Sequence, residues 1–166
     1  ITPFEAEFTQ PKWGLGSTFY GFVNEKELFC AFNKKGQWSF GKISHDNVFS
    51  DIKFNHKIND IGRSGIKVHD NQILLSAGSH VEQESIFLIN GDGLINNLRS
   101  SCSYEFSVDL VSAPDTIEFR TENAEIAHGF FYPPRNPKFY APNDELPPLL
   151  VLTHGGPTGS TSTAFT

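Results

Sequence analysis

Short strand-forming runs recur along the first two thirds of this chain at a near-constant spacing, and that recurrence limits the fold more than any other feature. Residues 17–23, 27–33, 36–43 and 48–54 each carry Phe, Val or Ile and are separated by polar residues, among them Asn, Glu, Lys and Asp. Apolar runs of this length bounded by turn residues predict strands. The series returns at residues 66–69, 72–77, 85–89 and 94–98, with Leu28 and Ile73 45 residues apart and Phe40 and Ile86 46 apart. Four short strands in each unit of roughly 40–50 residues is the pattern of a β-propeller blade. Two such units are fewer than the roughly four to eight that close a ring. The competing arrangement is a β-sandwich of unrelated hairpins. The regular spacing favours blades.

Composition agrees with a β-rich chain. Sixteen Phe are punctuated by 14 Gly and 10 Pro, which favours strands and turns over helices. The formal charge of −6, with no Lys/Arg stripe, argues against a nucleic-acid partner. No run of about 18 apolar residues is present to span a membrane, and no signal-peptide pattern opens the chain. The expectation is a cytoplasmic protein. Cys30 and Cys102 sit in strand-like contexts and are expected to be free thiols. The chain contains no methionine, opens at Ile1 beside a Thr-Pro turn, and ends in a Gly-Ser-Thr stretch. It reads as a piece of a longer protein.

The strand series breaks near Ser112-Ala113-Pro114-Asp115. Residues 116–120 and 126–132 predict two further strands, after which most of the prolines cluster between 133 and 157 and keep helix out. Leu149-Leu150-Val151-Leu152 then forms a continuous aliphatic run, which suits a strand buried on both faces at the edge of a mixed α/β sheet. It runs into Thr153-His154-Gly155-Gly156-Pro157. Adjacent glycines can turn their N–H groups toward a ligand, and Pro157 disfavours helix at Gly156. A buried strand feeding a glycine loop is how many α/β-hydrolases build half of an oxyanion hole.

On these residues the chain resembles the prolyl oligopeptidase family of serine peptidases, especially its acylaminoacyl-peptidase and dipeptidyl-aminopeptidase-like members. The resemblance rests on Pro147-Pro148-Leu149-Leu150-Val151-Leu152-Thr153-His154-Gly155-Gly156-Pro157-Thr158, reinforced by Ile117-Glu118-Phe119 and Ala127-His128-Gly129-Phe130-Phe131-Tyr132-Pro133-Pro134. Gln10-Pro11-Lys12-Trp13 and Gly36-Gln37-Trp38 look like its late propeller blades. The resemblance implies a mainly β fold: a partial β-propeller of about two four-stranded blades over residues 1–113, followed by the first strands and oxyanion loop of an α/β-hydrolase domain over 114–166. It implies that Gly156 supplies a backbone N–H to the oxyanion, with Gly155 and His154 shaping the loop. It also implies a short peptide as substrate and no cofactor. No serine has glycine both two residues before and two after it, so the nucleophile, acid and base are expected outside this chain.

Other candidate sites read as structural. His154 precedes the glycine turn and His128 lies in a strand; a general base must reach a nucleophile, and neither has one in sight. No His or Cys pair has zinc-ligand spacing, so no metal site is expected. Asn90-Gly91-Asp92-Gly93 lacks the later ligands of a calcium loop and reads as a hairpin turn. Gly14-Leu15-Gly16-Ser17 precedes a strand and lacks the Lys of a phosphate loop. Trp13, Trp38 and the phenylalanines could form an aromatic ligand platform, but alternate strand residues more often fill the gap between blades, and the expectation is core.

The functional expectation is therefore a serine-peptidase segment, inactive alone. Alternatives are a propeller-type binding or scaffold module with a vestigial hydrolase segment, or an esterase/lipase-like α/β-hydrolase. Open sheet edges raise the expectation of a homo-oligomer.

Overall fold

The computed structural model describes residues 5–91, 93–104, 106–156 and 158–165. Strands β1 (Tyr20–Asn24), β2 (Glu27–Lys34), β3 (Gln37–Ser44) and β4 (Phe49–Ile52) form one sheet in that order. A second sheet follows with β5 (Asp60–His69), β6 (Gln72–Gly78), β7 (Ser85–Asn90) and β8 (Ile95–Ser100). β9 (Asp115–Arg120) and β10 (Ile126–Phe131) make a separate hairpin. Every one of these pairings is antiparallel. Among the described residues the helical structure is one 3-10 turn, Val108–Leu110.

Local chemistry sets the meanders. β2 and β3 are joined by Lys35 and Gly36, with φ of 53° and 79°; β5 and β6 are joined by Asp70 and Asn71, with φ of 45° and 61°. Two left-handed residues in a row match the twist of the strands they connect. Between β1 and β2, the Asn24 side-chain oxygen accepts from the Lys26 and Glu27 amides at 2.8 and 3.0 Å. The Asn90–Gly93 segment is a hairpin turn as expected: the Gly93 amide donates to the Asn90 carbonyl at 2.8 Å, while Asp92 lies outside the described residues.

One core joins the two sheets. Val23, Phe29, Ala31, Trp38 and Phe40 from the first meet Ile66, Ile73, Leu75, Phe87 and Ile89 from the second. Phe29 and Ile66 are completely buried, and each such side chain contributes about 1.5–3 kcal/mol of transfer free energy. β2 is buried on both faces: Phe32, on the side opposite Phe29, packs against Phe8 and Phe49. The two four-stranded antiparallel meanders are consistent with propeller blades, and among the described residues they do not close into a ring.

The repeat is real but its register differs from the expected one. Ile86, matched to Phe40 by spacing, is 42 % exposed, whereas Phe87 is buried. The cross-strand pair Ala31 and Phe40 has its counterpart in Leu75 and Phe87. The β6–β7 connection is longer than the two-residue β2–β3 turn, so the repeat offset grows from 44 residues between Ala31 and Leu75 to 47 between Phe40 and Phe87, and Ile86 falls on the opposite face. β5 also begins earlier than expected, at Asp60, with an irregularity between Ile61 and Ile66. Gly62, Arg63, Ser64 and Gly65 interrupt its apolar alternation.

Two expectations are corrected. Trp38 is buried and stacks on Phe19 with ring centroids 5.0 Å apart, but Trp13 is 70 % exposed and not in the core. Its neighbours Pro11, Gly14 and Gly16 make a turn rather than an alternating strand. Leu149, Leu150, Val151 and Leu152 form no strand and are all exposed. A strand exists only with a neighbour to share its ladder of N–H and C=O groups, and among the described residues none runs beside this segment.

The β9–β10 hairpin is placed by the first sheet's β2–β3 turn. The Phe130 ring lies against Gly36, and the Lys35 ammonium meets the Glu118 carboxylate at 3.1 Å. The ion pair is exposed and adds little stability; the ring contact fixes where the chain departs toward the glycine loop.

Candidate functional site

Residues 153–156 lie in neither helix nor ladder, and all four are exposed. Gly156 has φ +73°, a left-handed conformation that a residue with a Cβ adopts only at a cost. Around Gly155 and Gly156 there is open space where a side chain would project. No hydrogen bond to a described residue uses either amide. Two N–H groups at an open turn can serve an anionic oxygen. Pro157, which was expected to disfavour helix at Gly156, lies outside the described residues.

The loop folds back on itself directly afterwards. A Cβ at Gly159 would collide with the Gly155 carbonyl oxygen and fall 3.3 Å from His154 Nδ1. Glycine is therefore required there by close approach of backbone to backbone. His154 Nδ1 lies 3.4 Å from the Gly155 carbonyl, so this imidazole stays within its own loop. Thr158 accepts a hydrogen bond at 3.2 Å from the indole N–H of Trp13, 145 residues earlier.

The segment beyond the loop is anchored on the second sheet. The Phe165 amide donates to the Ser79 carbonyl at 2.9 Å, and Phe165 pairs with Gln83 in a short parallel bridge. Its ring stacks on Phe106 with centroids 4.2 Å apart. Thr163 is 2 % exposed. Burial raises the Asp60 carboxyl above its ordinary range, opposed by hydrogen bonds from Ser162 and the Ile61 amide and reinforced by Glu84. The glycine loop is thus suspended between Trp13 on one side and residues 162–165 on the other.

The remaining candidates are not brought to this loop as a catalytic set. His128 sits on β10 with Nδ1 3.7 Å from Glu118. His45, His56 and His69 approach Asp46, Glu82 and Asp70 respectively. His80 titrates below its usual range because of burial and the nearby Lys57. Cys30 is a buried thiol raised to about 11 by burial, and Cys102 is an exposed one; neither is in a disulfide. Among the described residues no group of three or more His, Cys, Asp or Glu could hold a metal ion, and no helix is long and apolar enough to cross a membrane.

Sequence reasoning selected Gly155, Gly156 and His154, favoured the core over a ligand platform for Trp13, and gave no role to Thr158 or Gly159, which lie at this loop. A tryptophan set among Pro11, Gly14 and Gly16 was the available sign of an exposed loop residue.

No protein-family model matches the sequence, and no curated protein matches it significantly. Solved structures do match. A puromycin-hydrolysing peptidase of Mycobacterium tuberculosis superposes with a TM-score of 0.90 at 24% identity, over 99% of this chain and 25% of that one. Puromycin hydrolase superposes with a TM-score of 0.73 at 19% identity, over 89% of this chain and 22% of that one. A mutant of puromycin hydrolase complexed with PGG gives 0.75, also at 19% identity. The chain spans about a quarter of the length of these structures. At such identities the likeness establishes the fold.

Proposed function

We propose that this chain is the propeller-to-hydrolase junction of a serine peptidase of the prolyl oligopeptidase family. In this reading, residues 1–113 are late blades and 114–166 open the hydrolase domain. The observation that carries it is the Gly155-Gly156 turn: left-handed at Gly156, exposed, with amides unspent on described residues and open space where a side chain would project. The likeness to two puromycin-hydrolysing enzymes supports the same reading.

The chemistry assigned to the turn is electrostatic. A serine located outside this chain attacks the substrate carbonyl, its hydroxyl proton passing to a general base that also lies outside the chain, and the π electron pair moves onto the carbonyl oxygen. The Gly156 N–H donates to that oxygen as its charge develops, at no cost of reorganisation because the turn is already formed. His154 and the Gly155 carbonyl shape the turn and take no proton. The substrate class is a short peptide or an aminoacyl amide.

Labelling the intact protein with a fluorophosphonate tests the assignment. A covalent adduct on serine, with faster cleavage of an N-blocked dipeptide amide than of a long-chain ester, is the expected result. Absence of an adduct would refute the peptidase and the esterase readings together and leave a binding module. Preference for the ester would favour the lipase-like alternative.

A further inference from the structure

Trp13 belongs to an arm that precedes the first sheet, yet its side chain reaches the loop at the far end of the chain. The arm is fastened at several points. The Gly14 amide donates to the Pro11 carbonyl at 3.1 Å, and the Ser17 hydroxyl to the Gly14 carbonyl at 3.1 Å. The Lys67 ammonium holds the Gly16 carbonyl at 2.9 Å, and Thr18 bridges in parallel to Gly65 on β5. An arm tied to the second sheet in this way presents Trp13 at a defined place.

The indole N–H is spent on the Thr158 hydroxyl, 3.2 Å away. The ring itself is left uncovered, with the residue 70 % exposed. Thr158 is two residues beyond Gly156, so their Cα atoms are at most about 7 Å apart. That separation equals the rise of about two residues of an extended peptide. A peptide whose carbonyl oxygen rests on the Gly156 amide and whose chain runs toward Thr158 would bring a flanking side chain to the indole held there. The space beside Gly155 and Gly156 is open.

We propose that Trp13 is a specificity-determining wall of the substrate site, an aromatic surface that receives an apolar or aromatic side chain flanking the scissile bond. This inference rests on the peptidase reading above. A tryptophan with its polar edge satisfied offers its ring face at little entropic cost. The hydrogen bond to Thr158 keeps that face beside the oxyanion turn.

The test uses the intact protein and internally quenched peptides varied one position at a time among Gly, Ala, Leu and Phe on either side of the cleaved bond. Trp13→Ala is expected to lower kcat/KM about tenfold to a hundredfold for peptides with Leu or Phe at one position. The loss for Gly at that position is expected to stay within about twofold, as no contact is removed there. Trp13→Phe, which keeps an aromatic ring, should retain most of the preference. An equal loss for every peptide would make Trp13 a purely structural residue and overturn the inference, and so would an unchanged preference. A wild-type protein that neither labels with fluorophosphonate nor cleaves any peptide is a different result, and it overturns the peptidase reading itself.

Discussion

Phe165 lies on Phe106 with ring centroids 4.2 Å apart and planes inclined by 15°. Through this stack the segment following the glycine loop is held against the stretch that follows β8, next to the bond from the Phe165 amide to Ser79 just beyond β6. The rings come from parts of the sequence that carry no apolar periodicity. Residues 159–164 are Gly, Ser, Thr and Ala, and give no sequence sign of docking.

Removing the stack should release the segment without unfolding the sheets. An offset-stacked pair contributes about 0.5–1.5 kcal/mol beyond the area it buries. Phe106→Ala is therefore expected to raise the open fraction of residues 160–165 roughly two- to tenfold. Amide hydrogen exchange at Phe165 should quicken by that factor while exchange in β6 stays unchanged. Equal acceleration in β6 would mean that the stack supports the sheet and not the segment.

Asp60 predicts how stability changes with pH. Its carboxyl is raised chiefly by burial, so the folded chain holds this proton more tightly than the unfolded chain. Its contribution is complete below the ordinary carboxylate pKa and is lost as pH rises through the raised folded value. Asp60→Asn keeps an acceptor oxygen for Ser162 and Ile61 but cannot ionise. The variant should thus be more stable than wild type at neutral pH, with the gain shrinking toward about pH 4. Melting temperatures of both proteins at the two pH values check the sign; a gain that grows on acidification would contradict it.

The two cysteines should react at very different rates. Cys30 is buried on β2, donates its S–H toward the Gly41 carbonyl, and is raised to about 11. Thiolate is the reactive form, so at neutral pH this thiol is both protonated and inaccessible. Cys102 is exposed. Native protein treated with a maleimide should lose the Cys102 thiol and keep that of Cys30 until denaturant is added. Native labelling of Cys30 would show that the first sheet opens readily.

Much of the β architecture is legible in the sequence because each meander combines alternating apolar residues with residues that accept left-handed turns, such as Gly36 and Asn71. Periodicity reports faces only within one strand, however. It could not show that the longer β6–β7 connection shifts Phe40's counterpart from Ile86 to Phe87. Nor could it reveal contacts decided by chain path alone. The bond from Trp13 to Thr158 and the seat of Phe165 on Ser79 join segments far apart in sequence. Leu149–Leu152 illustrates the opposite failure, since an apolar run states what it would bury against and not whether that neighbour is present.

Gly156 gives the sharpest test of the loop itself. Its φ of +73° is the region in which a β-branched residue is strained. Gly156→Val should rotate the backbone and swing the N–H away from the oxygen it is assigned to serve. Loss of one such donor costs about 10²–10³ in turnover, and that drop is expected in kcat with fluorophosphonate labelling slowed in parallel. Because Gly156 is exposed and a Cβ there meets nothing, the sheets should be unaffected. An unchanged circular dichroism spectrum and melting temperature would assign the loss to donor geometry. Gly159→Ala offers an independent route to the same loop, because its Cβ would collide with the Gly155 carbonyl and must displace the turn. Full activity in both variants would remove the proposed oxyanion role from this loop.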